Sequence, residues 1–101
     1  MKLKDVKRFL EKTNQDNITF DPHFYKRTSE RLITESMVRS FLSQLNKLER
    51  IEQGKEGRFK LWFKMSKKYS LVLIIEIILS KDLKIISAWN SDKKWQNKLK
   101  Q

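Results

Sequence analysis

The chain has 101 residues, 39% of them apolar, which suffices for one modest core and excludes two domains, so residues 1–101 are expected to form a single one. Lys and Arg number 23 against 12 Asp and Glu, a formal net charge of +11 that attracts nucleic acid, anionic membranes or acidic proteins, and the excess lysine is not balanced by glutamate as in heat-adapted proteins. There is no cysteine, which excludes disulfides and thiolate metal sites and leads to the expectation of a reducing, cytoplasmic setting.

Residues 1–12 are too charged for a signal peptide, and Leu3, Val6, Phe9 and Leu10 recur at the spacing of a short amphipathic helix. Polar residues 13–17 end it. Asp21-Pro22 then starts a second helix, because Asp caps well and proline at the first position gives up no hydrogen bond. Phe20 and Tyr25 are spaced to close a hydrophobic staple over that start. Thr34 is placed to cap a third helix, with Met37, Val38, Phe41, Leu42, Leu45 and Leu48 along its apolar stripe and an end near Leu45 to Lys47.

The period then changes to two. Leu48 to Glu52 reads as a weak edge strand, and Gly54 and Gly57 mark a turn. Arg58 to Met65 alternates between Phe59, Leu61, Phe63 and Met65 on one face and Arg58, Lys60, Trp62 and Lys64 on the other. Leu71 to Leu79 is a central strand, interrupted by Glu76 and too short to span a bilayer, so no membrane partner is expected. Leu83 to Asn90 is the last strand, and Ser91 or Asp92 is expected to cap a C-terminal helix over 93–100. Helices first and a strand meander second predict an α+β fold: N-terminal helices packed on one face of a three- to four-stranded antiparallel sheet, followed by a short helix.

Strand parity predicts the two faces of that sheet. The inner face takes Phe59, Leu61, Phe63, Leu71, Leu73, Ile75, Ile77, Ile86 and Ala88. The outer face takes Arg58, Lys60, Trp62, Lys64, Glu76, Ser87 and Trp89, together with Val72, Ile74, Ile78, Leu83 and Ile85, so part of it must be covered. Glu76, the one charge in its apolar strand, is either a structural partner of Arg58 or Lys60 or a carboxylate whose protonation state is set for chemistry. Trp62 and Trp89 are candidates for stacking bases, against the plainer reading that they pack under other elements. His23 is the one histidine, at the second position of a helix with Arg27 one turn on; a base beside a phosphate-binding cation suits phosphodiester cleavage. One histidine and scattered carboxylates make no metal set, and no phosphate loop, dinucleotide fingerprint or serine-nucleophile motif is present.

The stretch ITFDPHFYKRTSERLITESMVRSFL, with a histidine opening a helix, an arginine four residues on and a capped helix after it, resembles small prokaryotic toxins. GRFKLWFKM, LVLIIEIIL and LKIISAWNSDKKWQ resemble their hairpin and final strand. The likeness spans about residues 18–100 and points to the RelE-like set of the barnase–EndoU–colicin–RelE superfamily, with the last strand closest to the BrnT-like branch. It implies a compact α+β fold, ribonuclease activity without metal or other cofactor, and pairing with an antitoxin protein. Carried over by position, it implies site roles for His23, Arg27, Arg58, Lys60, Glu76 and Ser87. Some relatives have a further arginine where this chain has Trp89-Asn90.

The expected chemistry is attack of a ribose 2′-hydroxyl on the adjacent phosphorus, with His23 or Glu76 as base and cations holding the phosphate. Catalytic candidates are His23, Glu76, Arg58 and Ser87; candidate RNA contacts are Arg27, Arg31, Lys60, Trp62, Lys64, Trp89 and Lys94. The expected partners are RNA, including mRNA on the ribosome, and a cognate antitoxin. The competing readings are a non-catalytic nucleic-acid-binding module of the same fold and a protein whose charge serves an acidic partner.

Overall fold

The computed structural model describes residues 2–28 and 32–92, the side chains of 27 and 28 excepted. The order is α1 (Leu3–Lys12), β1 (Ile18–Phe20), α2 (Pro22–Thr28), α3 (Glu35–Leu42), β2 (Leu48–Gln53), β3 (Arg58–Lys64), β4 (Tyr69–Ile78) and β5 (Asp82–Asp92). Single 3-10 turns precede β1 and β2. The α+β class agrees with the sequence pattern, but the sheet has five strands in the order β1-β5-β4-β3-β2 and is mixed, because β1 runs parallel to β5. The expected C-terminal helix falls outside the described residues. Ser91 and Asp92, expected to cap it, instead continue β5 and pair with Ser70 and Tyr69.

Local chemistry accounts for the helix starts. Asp21 accepts the backbone N–H of His23 at 2.8 Å, and Thr34 accepts that of Met37 at 3.1 Å, so both caps stand where the sequence puts them. The staple over α2 closes differently from expectation. Phe20 meets Phe24, with ring centroids 4.8 Å apart, while Tyr25 is exposed and donates its hydroxyl to Glu35 at 2.7 Å. α3 ends at Leu42, earlier than expected, and its stripe is completed by the separate turn at Leu45–Lys47.

One face of the sheet and the helices share a single core. Val6 and Leu10 of α1, Phe24 of α2, and Val38 and Leu42 of α3 are buried in one cluster with Phe59, Leu61, Phe63, Leu71, Leu73 and Ile75. Burial of such apolar side chains contributes about 1.5–3 kcal/mol each and holds the helical layer to the sheet. β5 joins this core out of the expected phase. Its register with β4 shifts between Ile74 and Ile75, which face Ser87 and Ile85, so Ile86 is an extra, unpaired residue. The bulge turns Leu83 and Ile85 to the core face, where both are fully buried, rather than to the outer face that uninterrupted alternation assigns them. Ile86 is buried apart from the main core cluster, whereas Ala88 lies in it as expected.

Arg39 secures β1 to the helical layer. Its guanidinium donates to the Gln15 carbonyl at 2.9 Å and the Ile18 carbonyl at 3.2 Å, and lies 5.3 Å from the centre of the Phe20 ring. At the β2–β3 turn, Gly57 adopts φ +79, a conformation that disfavours side chains.

Candidate nucleic-acid interface

The face of the sheet opposite the helices includes three cross-strand rows that carry most of its charged and aromatic groups. Arg50, Trp62, Val72 and Trp89 form the first; Glu52, Lys60, Ile74 and Ser87 the second; Arg58, Glu76, Lys84 and Thr19 the third. Alternation places successive rows about 7 Å apart, so side chains of neighbouring rows reach one another. Antiparallel register thus converts residues distant in sequence into one charged and aromatic surface.

Arg58 and Glu76 are direct partners, with Arg58 Nε donating to Glu76 Oε1 at 3.3 Å. Their side chains are 39% and 29% exposed, so solvent and a ligand can reach both. Lys60 leans toward the first row, its Nζ 4.9 Å from the centre of the Trp62 ring and 5.3 Å from that of Trp89. Arg50 stands 5.5 Å from the Trp62 ring centre and pairs with Glu52. The centre of this face is closed: Trp62 is 6% exposed, Ser87 7%, and Val72 and Ser70 are also buried. The Trp62 indole N–H is buried without a hydrogen-bond partner, an arrangement that costs free energy. The reachable groups of the three rows therefore include Arg50, Arg58, Lys60, Glu76, Lys84 and Trp89, around a closed middle.

The third row continues past the sheet. Lys84 Nζ lies 3.3 Å from Asp21 Oδ2, and Asp21 caps the helix that carries His23. The Asp21 carboxyl titrates below its ordinary value of 3.8, chiefly because the His23 N–H donates to it and secondarily because Lys84 is beside it, against an opposing effect of desolvation. His23 itself is exposed. Sequence reasoning missed Lys84 because the β5 bulge reverses its phase, and missed Asp21 because the residue reaches this surface only through the pairing of β1 with β5.

Of the site residues expected from the sequence, Arg58, Lys60, Trp62, Glu76, Ser87 and Trp89 share this face, and Lys64 lies on it opposite Ser70 and exposed. His23 stands at its margin, beyond Lys84 and Asp21. Arg27 lies within α2, one turn after His23, while Arg31 and Lys94 fall outside the described residues. Among the described residues no group of three or more His, Asp or Glu is arranged to hold a metal ion, and no helix is long and apolar enough to cross a membrane.

No protein-family model matches the chain, and neither a curated protein nor a solved structure matches it. Fold and surface alone define the class: an α+β domain whose mixed sheet presents cations, tryptophan and a mid-strand carboxylate opposite its helices.

Proposed function

We propose that this protein binds single-stranded RNA along the outer face of its sheet and cleaves it without a metal, as the RelE-like toxin of a toxin–antitoxin pair. The observation that carries the reading is the Arg58–Glu76 pair, reachable from solvent and next to the Lys60 row. A phosphodiester over this strip meets a guanidinium with the two-pronged fit for phosphate oxygens and a carboxylate that accepts a proton.

Glu76 is the base in this scheme, because it stands among the cations, whereas His23 lies at the far end of the row. Glu76 takes the proton of a ribose 2′-hydroxyl, and that oxygen bonds to the adjacent phosphorus. Arg58 and Lys60 stabilise the charge that develops on the phosphoryl oxygens. The bond from phosphorus to the 5′-oxygen breaks, and the leaving oxygen takes its proton from solvent, which reaches this open face. The products are a 2′,3′-cyclic phosphate and a 5′-hydroxyl.

The test is incubation of purified protein with RNA in a chelator, with the ends of the products identified by mass spectrometry. Cyclic phosphate ends are expected, and Glu76→Gln is expected to slow their formation by about 10²–10⁴-fold while RNA binding persists. A binding module without catalysis is the second reading, favoured by the closed middle of the face, where Ser87 is 7% exposed, and by Lys60 placed at two tryptophans. RNA bound but left intact by the wild-type protein establishes that reading instead.

A further inference from the structure

A cleft of about 240 Å3 opens at the β2–β3 end of the sheet and is lined by Glu52, Gln53, Arg58, Phe59, Lys60 and Ile74 among others. Arg58 and Lys60 thus belong both to this cleft and to the cationic strip. A nucleotide whose phosphate meets Arg58 has its base within reach of the cleft. Half-buried Ile74 offers apolar surface to a flat ring, and Glu52 contributes the one carboxylate of the lining.

A carboxylate only accepts hydrogen bonds, and it has room for more than one. Arg50 engages Oε1 of Glu52. The four RNA bases differ in what they offer such a group. Guanine presents two adjacent donors, N1–H and N2–H, on its pairing edge. Adenine and cytosine set a single amine beside a ring acceptor, and uracil sets its N–H between two carbonyls. Opposite Glu52 each of these three places an acceptor near negative charge. Guanine keeps both donors together, with O6 at the far end of the same edge and N7 beyond it, where Lys55 and Lys60 of the same lining can donate.

We propose that the β2–β3 cleft is a guanine subsite, with Glu52 as its specificity-determining residue. The inference rests on the RNA reading above and names the base that the same surface selects. Each good two-point contact to a base is worth about 5- to 150-fold in discrimination.

The experiment measures binding of fluorescein-labelled 2′-O-methyl hexamers of sequence UUGUUU, UUAUUU, UUCUUU and UUUUUU at low salt. The methyl group blocks the attacking hydroxyl, so affinity is read without cleavage. The wild-type protein is expected to bind the guanine hexamer at least about fivefold more tightly than the others. In Glu52→Gln that ratio falls and adenine gains, because an amide presents one donor and one acceptor. Freeing Arg50 raises affinity for all four hexamers alike, so the ratio between them is the readout. Glu52→Ala, which removes the acceptor altogether, is expected to lose the preference for guanine without gaining one for adenine. Equal wild-type affinity for all four, or a guanine preference that survives both substitutions, overturns the subsite and leaves the RNA reading standing. Failure to bind any hexamer overturns both.

Discussion

At the scale of single residues, the electrostatics are ordered by pairs rather than by net charge. Arg58 with Glu76, Lys84 with Asp21 and Arg50 with Glu52 alternate sign along one face of a strongly basic chain. Asp21 has two structural tasks, since it accepts the His23 N–H and meets Lys84, which ties α2 to β5. Its carboxyl titrates lower in the folded chain than in the unfolded one. The ionised form therefore favours folding fully above its ordinary value of 3.8, and this contribution fades as pH falls through the lower folded value. Asp21→Asn keeps a capping acceptor and removes the charge. Thermal melts should show Asp21→Asn less stable than wild type at pH 7, with the difference narrowing as pH falls below 3.8; a difference independent of pH contradicts this account.

At the scale of elements, legibility followed how local each determinant is. β3 was read correctly because Phe59, Leu61 and Phe63 alternate with Arg58, Lys60 and Trp62 without interruption. The caps at Asp21 and Thr34 depend on neighbours two and three residues away and were legible for the same reason. β5 was misread because one extra residue, Ile86, reverses the phase of everything before it, and a run of apolar residues does not reveal where the extra one sits. β1 went unseen because Ile18, Thr19 and Phe20 become a strand only through β5, more than sixty residues later. Arg58, Lys60 and Glu76 were legible as a set because β3 and β4 lie on the same side of the bulge, whereas Lys84 was not.

The β4–β5 hairpin carries a correctable flaw. Leu79 and Ser80 both have left-handed backbones, φ 54 and 55, and the Lys81 N–H donates to the Ile78 carbonyl at 3.1 Å. Such a turn suits Asn-Gly, while a leucine there is strained and stands 91% exposed. Leu79→Asn with Ser80→Gly should raise stability by about 1–2 kcal/mol, read as a rise of several degrees in the melting midpoint. No change would mean that the turn is relaxed as it stands.

For the whole molecule, the surplus of +11 acts through the groups that solvent can reach. Binding of single strands through about five phosphates should weaken with salt at a log–log slope of roughly −3.5. Lys60→Ala and Lys64→Ala, one cation at a half-buried and one at an exposed position of β3, should each reduce that slope by about 0.7. Unchanged slopes in both variants would take the outer face out of RNA contact and put the charge dependence elsewhere on the chain.

The parallel pairing of β1 with β5 also orders events in time. During synthesis on the ribosome, the N-terminal helices emerge long before the strand that β1 must join, and Asp21 emerges before its partner Lys84. Contacts so distant in sequence form late and slowly. A nascent chain that stops short of β5 holds Arg58 and Glu76 on an unfinished sheet, so the outer face is complete only once β5 has emerged and paired with both β4 and β1.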